Sequence, residues 1–333
     1  MSRLKTLIIG SKDLYEKYLP EDSEVAHTSE KYYCDRGATD EEILNTCRDA
    51  DFIAADPMTI VSGNLIRQMP NLKVIHSEGV AFNLFDLEVA KKCGVYVCNC
   101  KGINAGAVAE QAILLMLGLL RNVTVYDRAV REGKQIQIKE KTMVEGMAEL
   151  CDMKVGLVGL GDIGMATAER LAAFGAKVYY NSRHRRPESV EMDLKISYLP
   201  QDELLSTCDI ISLHTAVTPE TVGMANDEFF AKMKKGAYLI NTARGDLVDN
   251  EALIKVLKSG KLRGAGLDTI APEPVLSDNP ILNMPKECME KVILSPHIAG
   301  ITTDTFLRSQ SLIWESFDDV MKGKKPINVV NGL

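Results

Sequence analysis

Residues 154–180 read KVGLVGLGDIGMATAERLAAFGAKVYY, and their order decides the fold class. An apolar run predicts a buried strand, Gly159, Gly161 and Gly164 follow in G-x-G-x-x-G spacing, and an alanine-rich helical stretch leads into a second strand. Gly159 permits the tight turn, Gly161 lets backbone amides approach a pyrophosphate, and Gly164 allows the helix to pack closely on the strand. The helix N-terminus then faces the anion with free N–H groups and the positive end of its dipole. The spacing alone is a weak signal. Set between strand, helix and second strand, it predicts a dinucleotide site rather than an empty glycine turn.

Working outward, short apolar runs alternate with amphipathic stretches along almost the whole chain, the pattern of parallel sheets with crossover helices, so the fold class is α/β. Strands are predicted at LKTLIIG, DFIAAD, LKVIHS and VYVCN in the first hundred residues, with helices at NLIRQM and DLEVAKKC. The stretch AGAVAEQAILLMLGLLRN from Ala105 predicts a buried helix at a domain boundary, too short and too polar at Glu110 and Gln111 for a membrane span. A second series follows at KVGLVG, KVYYN, DIISLH, AYLINTA, RGAGLD and VILSPH, six strands in all. APEPVLSDNP reads as a loop, and TFLRSQSLIWESFDDVMKG as a closing helix.

A chain of 333 residues, 46% hydrophobic and 26% charged, has the composition of a globular protein with two domains of ordinary size. Its net charge of −7 gives no general attraction to nucleic acid or anionic membrane. The start MSRLKTLIIG lacks the apolar length and cleavage pattern of a secretory signal, and a cytoplasmic protein is expected. Of eight cysteines, only Cys93, Cys98 and Cys100 cluster, and no nearby histidine or second pair completes a zinc site. No bound metal is expected, and the thiols read as small core residues.

The nucleotide is read about twenty residues past the glycine loop, where an acid would bind the adenosine ribose and repel a 2′-phosphate. Here the stretch is Asn181, Ser182, Arg183, His184, Arg185, Arg186. Asn181 keeps hydrogen bonding and removes the repulsion, and Arg183 with Arg185 or Arg186 has the planar geometry to clamp a phosphate. The expectation is NADP(H) preferred and NAD(H) possible, the bland alternative being a solvated basic loop.

Three further stretches carry reactive groups after strands: Arg244 in NTARGDLVDNEAL, Glu273 in GAGLDTIAPEP and His297 in VILSPHIAG. In open α/β sheets ligands sit outside the carboxyl ends of strands, so the three can serve one site. Taken singly, each reads as a surface ion pair, a solvated acid or a core histidine. Together with the glycine loop, VIHSEGVAFNLFDLEVAKKCGVYVCN, AVAEQAILLMLGLLRN and SLHTAVTPET, they closely resemble the D-isomer-specific 2-hydroxyacid dehydrogenase family. That resemblance implies two Rossmann-like doubly wound parallel-sheet domains with the active site in the cleft between them. Residues 1–102 and 299–333 would form the substrate domain, residues 103–298 the dinucleotide-binding domain, and the unit would be a homodimer acting on a small-molecule 2-oxo or 2-hydroxy acid.

By the same resemblance, Arg244 would hold the carboxylate and carbonyl oxygen of a 2-oxo acid, and His297 would donate a proton to the developing alkoxide. Glu273 would orient the ring and stabilise its charged form. Asp162, Ile163, Ser182, His214, Thr242, Ala243 and Asp268 would border the cofactor, with Gly159, Gly161, Gly164, Asn181, Arg183 and Arg186. His214 is expected to have no catalytic part. Arg183 and Arg186 match a run found in NADPH-reading glyoxylate and hydroxypyruvate reductases of the family. The formate dehydrogenase branch is disfavoured, because it carries glutamine where this chain has Glu273.

The substrate carboxylate would meet the loop Ser77, Glu78, Gly79 and Val80. This loop departs from the family pattern, with Glu78 as an added acid, Ala81 in place of glycine and Asn83 in place of aspartate. A Glu78 turned inward would penalise a second substrate carboxylate by like-charge repulsion. A Glu78 turned to solvent is the favoured expectation, since acids are rarely buried without partners. Two other readings stay open: a dehydrogenase for larger aliphatic or aromatic 2-oxo acids, and a cofactor-sensing binding protein on the same fold.

Overall fold

Residues 3–333 are described by the structure, a computed structural model. Met1 and Ser2, the first positions of the expected N-terminal domain and of the MSRLKTLIIG start, lie outside the described residues. The chain divides into two units, one comprising the residues up to Ile103 together with Ile301–Leu333, the other Asn104–Gly300.

The first unit holds five parallel strands, β1 (Lys5–Ile9), β2 (Glu30–Cys34), β3 (Phe52–Ala55), β4 (Val74–Ser77) and β5 (Tyr96–Cys98), in the order β2-β1-β3-β4-β5. Alternation along each strand sorts side chains to two faces. Leu7, Ile9, Ile53, Ile75 and Val97 pack with Ile43, Leu65 and Val89 on one face. Ile8, Phe52, Ala54, Val74 and Cys98 pack with Trp314 and Phe317 of the helix Thr303–Met321 on the other. Phe52 and Phe317 stack with ring centroids 4.6 Å apart.

The second unit holds seven parallel strands, β6 (Lys154–Val158), β7 (Lys177–Asn181), β8 (Ile196–Tyr198), β9 (Ile210–Leu213), β10 (Ala237–Asn241), β11 (Leu262–Leu267) and β12 (Val292–Leu294). Their order is β12-β11-β10-β9-β6-β7-β8. The helix Ala105–Leu120, apolar almost all round, packs on the helix Asp162–Ala173 and on β10, β11 and β12. Among the described residues no single helix is long and apolar enough to cross a membrane; Ala105–Leu120 passes only together with Val123–Arg131, a pair bent by 58°.

Two strands escape the sequence reading, which gives six for the second sheet where seven stand. Both β2 and β8 are edge strands. β2, with sequence EKYYC, is half-buried over four of its five residues, and β8 is three residues long, so neither shows the buried apolar run of the central strands. Each sheet also reverses its winding once, between β1 and β3 in the first and between β6 and β9 in the second. Ligand crevices in open α/β sheets form at such points.

Candidate active site

At the winding reversal of the second sheet, the glycine loop joins β6 to the helix Asp162–Ala173. Gly159 has φ +101°, and a Cβ there would lie 2.6 Å from the carbonyl oxygen of His214, so this position requires glycine for both reasons. The Gly159 amide donates to Asn181 O at 2.7 Å, and the His214 amide donates to Val158 O at 2.7 Å, which ties the loop to both neighbouring strands. Gly161 is the N-cap and no side chain caps the helix; a Cβ on Gly161 would meet nothing within 4 Å. The open space and the uncapped helix amides suit a pyrophosphate. Asp162 and Ile163 form the first turn, and Gly164 packs against the Gly159 carbonyl, where a Cβ would lie 2.5 Å away.

Two buried polar groups beside the loop lack protein partners. His214 follows β9; its Nε2 shares a hydrogen bond of 2.9 Å with the Ser212 hydroxyl, its Nδ1 is unpartnered, and burial lowers its pKa to about 4. Its ring is therefore neutral at physiological pH. Thr242 follows β10, with a buried and unpartnered Oγ1, next to Ala243, whose amide donates to Asn241 Oδ1 at 3.1 Å. Buried polar groups are rarely left without partners, so these positions fit a bound cofactor with its own donors and acceptors.

Past β7, the basic run separates into distinct roles. Asn181 donates its amide N–H to Leu199 O at 2.9 Å. Ser182 Oγ donates to His184 O at 2.6 Å and tightens the turn. Arg185 makes a two-point ion pair with Glu191, at 2.9 and 2.8 Å, and is thereby removed from the phosphate candidates. With that guanidinium and the Tyr180 hydroxyl beside it, Glu191 has its pKa pulled down to about 2. The Arg186 guanidinium instead donates to Leu160 O, inside the glycine loop, and its backbone amide donates to Tyr180 Oη at 2.8 Å. Arg183 is exposed.

Arg244, Glu273 and His297 follow β10, β11 and β12, three adjacent strands of one sheet. Arg244 is exposed, with Nη1 donating to Ala243 O at 2.7 Å, and Asn241 Nδ2 holding the Arg244 carbonyl at 2.8 Å. Its neighbour Gly245 lies against backbone: a Cβ there would sit 2.2 Å from the Ala271 nitrogen, so the Arg244 turn abuts the segment that leads to Glu273. Asn250 and Asn279 both donate to Ala271 O, at 2.8 and 3.0 Å, and fix that segment further. His297 Nδ1 donates to Glu273 Oε2 at 2.9 Å, and both side chains are solvent-facing, 43% and 41% exposed.

His297 has φ +55°, a left-handed conformation that costs a non-glycine residue roughly 1 kcal/mol or more. Asp268 holds it there. The Asp268 carbonyl accepts from the His297 amide at 2.8 Å, and its buried carboxylate accepts from the amides of Ile298 at 3.1 Å and Ala299 at 2.9 Å and from the Ser295 hydroxyl. The sequence reading groups Asp268 with the cofactor contacts and passes over this aiming role. Ser295, two residues before His297, was the available signal.

In the first unit, the loop after β4 is pinned from within. The Glu78 amide donates to Ala55 O at 2.9 Å, the Gly79 amide to Ser77 Oγ at 3.3 Å, and Asn99 Nδ2 to Val80 O at 2.7 Å. Glu78 corrects the expectation of a solvent-facing acid. Its carboxyl lies over Gly10, where a Cβ would be 2.7 Å from Oε1, and Oε1 is buried. Burial, with Asp56 nearby, raises its pKa to about 7, against weaker opposing effects of Tyr15 and Arg36. The missing Cβ of Gly10 supplies the space that sequence alone does not reveal.

Comparison with known proteins agrees with this geometry. The family described as D-isomer specific 2-hydroxyacid dehydrogenase, NAD binding domain, matches residues 113–299, which include the glycine loop and the Arg244, Glu273 and His297 positions. A glyoxylate reductase of Thermofilum pendens is 37% identical over 291 residues, covering 87% of this chain and 84% of the relative. A hydroxypyruvate reductase of Blautia hydrogenotrophica is 32% identical over 292 residues, covering 87% and 88%. Among solved structures, D-lactate dehydrogenase from Aquifex aeolicus, complexed with NAD and lactic acid, superposes with a TM-score of 0.81 at 28% identity, over 99% of this chain and 100% of that one. With the nucleotide loop and the His–Glu pair on one sheet edge, the chain belongs to the D-isomer-specific 2-hydroxyacid dehydrogenases, oxidoreductases that use a nicotinamide cofactor.

Proposed function

We propose that this dehydrogenase reduces a short 2-oxo acid, of the size of glyoxylate or hydroxypyruvate, to the D-2-hydroxy acid, with NADPH preferred over NADH. The observation that carries the reading is the 2.9 Å His297–Glu273 pair, one strand from Arg244. The names of relatives that share a third of their residues with this chain support the substrate size.

In this reading Arg244 holds the substrate carboxylate and draws electron density from the carbonyl oxygen, a dual contact suited to a planar, permanently charged fork. The cofactor, when bound, supplies a hydride to the carbonyl carbon. As the carbonyl π bond breaks, its oxygen takes the proton held on His297 Nε2, and the imidazolium becomes neutral imidazole. Glu273 accepts from Nδ1, which fixes the ring and leaves Nε2 as the proton-bearing atom. Asp268 keeps the His297 turn in place.

NADPH preference rests on three residues. Asn181 offers no charge to repel a 2′-phosphate, Arg183 is free in the sense of being exposed, and Arg186 is anchored over the glycine loop at Leu160 O. A homodimer is supported by the helices Val123–Arg131 and Gln135–Glu145, which contain no buried residue and expose Val130, Ile136, Met143 and Val144, the last at 87%. Large apolar side chains exposed along two neighbouring helices suit an association surface. The deciding experiment follows absorbance loss from NADPH and NADH in parallel with glyoxylate, hydroxypyruvate, pyruvate and phenylpyruvate. Fast turnover of the small acids with NADPH supports the reading; tight cofactor binding without turnover of any acid moves it to a cofactor sensor.

A further inference from the structure

The basic turn after β7 is braced by a network of side chains that the chemistry above does not use. Tyr180, in β7, is fully buried; its hydroxyl donates to Glu191 Oε1 at 2.6 Å and accepts from the Arg186 backbone amide at 2.8 Å. Glu191 stands in the short helix Glu188–Leu194, 8% exposed, and accepts from Arg185 Nε at 2.9 Å and Nη2 at 2.8 Å. Arg185 also lies over the Tyr198 ring of β8, 5.7 Å from its centroid, and Tyr198 meets Tyr180 edge-on at 5.5 Å. One buried carboxylate thus takes three hydrogen bonds to hold a surface turn. A carboxylate set against a buried phenol carries a desolvation cost that only good geometry offsets, unlike an ion pair standing in water.

The turn so braced is tied at both ends to the glycine loop. At its start, Asn181 O accepts from the Gly159 amide at 2.7 Å, and Asn181 Nδ2 donates to Leu199 O at 2.9 Å. At its end, Arg186 has its amide on Tyr180 Oη and its guanidinium on Leu160 O. Within it, Ser182 Oγ donates to His184 O at 2.6 Å. Arg183 lies between these ties and is exposed. In NADPH a single ribose separates the 2′-phosphate from the pyrophosphate. A guanidinium can therefore meet the first only if its turn keeps a set distance from the loop that takes the second. A turn already shaped also removes the backbone share of the ordering cost at binding.

Resting on the NADPH reading above, we propose that Tyr180, Glu191 and Arg185 are positioning residues for cofactor choice, which touch no part of the nucleotide and set the turn that presents Arg183 and Arg186 to the 2′-phosphate. Two other roles differ from this one in the sign of their effects. If Glu191 only withholds Arg185 from the phosphate, removing the acid frees a further cation and tightens binding of the phosphorylated cofactor. If the three residues serve folding alone, losing them weakens both cofactors alike.

Calorimetric Kd values for NADP+ and NAD+, measured with no acid present, test the proposal without turnover in the full chain and its Tyr180→Phe, Glu191→Gln and Arg185→Lys variants. Tyr180→Phe keeps the buried ring and leaves Glu191 and Arg185 to pair, so it removes only the hydroxyl that joins them to Arg186. Arg185→Lys keeps the charge and loses the two-point geometry. The ratio of Kd for NAD+ to Kd for NADP+ is expected to fall by about 3–10-fold in Tyr180→Phe, about 5–30-fold in Glu191→Gln and about 2–5-fold in Arg185→Lys. Kd for NAD+ should stay within about twofold of the parent. Melting temperature checks that each variant folds, and Tyr180→Phe decides if Glu191→Gln does not. A ratio unmoved in the folded variants, a ratio that rises in Glu191→Gln, or equal weakening of both cofactors overturns the positioning role. A parent protein that binds NAD+ as tightly as NADP+ overturns the NADPH reading, and the positioning role with it.

Discussion

The carboxyl edge of the seven-stranded sheet presents its reactive groups to solvent, whereas that of the five-stranded sheet buries them. Arg244, Glu273 and His297 stand exposed after β10, β11 and β12; Tyr15, Thr59 and Asn99 are buried at the other edge, and Glu78 has one oxygen there. Both sheets are parallel and each reverses its winding once. A group that must exchange a proton with a substrate benefits from access, and its geometry is held from behind by Asp268. The same division separates the histidines: His76 and His214, desolvated, have pKa values lowered to about 4, while His297 faces solvent against a carboxylate.

The comparison breaks most readily at the exposed edge. Replacing His297 by Ala should lower kcat by about 10²–10⁴-fold with a much smaller change in KM, as stopped-flow reduction would read; normal turnover would remove the proton donor from the scheme. Next in size, Arg183→Ala combined with Arg186→Ala should raise KM for NADPH by about 10–100-fold and leave KM for NADH far less affected. Equal effects on both cofactors would make the run a solvated loop.

At the buried edge the effect is on stability and its sign follows from linkage. Glu78 has a folded pKa of about 7, above its ordinary 4.5, so the stability it contributes as a neutral acid is fully present below 4.5 and is lost as pH rises through 7. Denaturant unfolding from about pH 5 to 8 should therefore show the parent losing about 1–3 kcal/mol more than Glu78→Gln. Parallel pH profiles would place the carboxyl in water. The smallest effect is expected from Met143→Glu with Val144→Glu, which should halve the mass seen by light scattering while NADPH affinity per chain stays within about twofold.

Much of the second unit was legible because its signals are local. The glycine spacing, the strand before it and the helix after it lie within one stretch of chain, and Arg244, Glu273 and His297 each follow a readable strand. β2 and β8 were not, since an edge strand with Glu30, Lys31 and two tyrosines, or one of three residues, lacks the apolar continuity of a central strand. The direction of Glu78 was hidden for another reason. It depends on Gly10 and Tyr15, distant in sequence, and no pattern within the Ser77–Val80 loop encodes that space. The roles of Arg185 and Arg186 were likewise decided by partners outside the run, Glu191 for one and Leu160 O for the other.

The left-handed turn at His297 has a consequence for anyone engineering this protein. Histidine, asparagine and aspartate are among the few residues other than glycine that occupy such a conformation readily, and β-branched residues are nearly barred from it. Saturation libraries at this codon will therefore mix two kinds of failure, lost chemistry and a misfolded loop, in most of their members. Asparagine separates them. A chain carrying His297→Asn keeps the backbone hand that Asp268 enforces and discards the titratable ring, which makes it the natural inert scaffold for trapping substrate complexes.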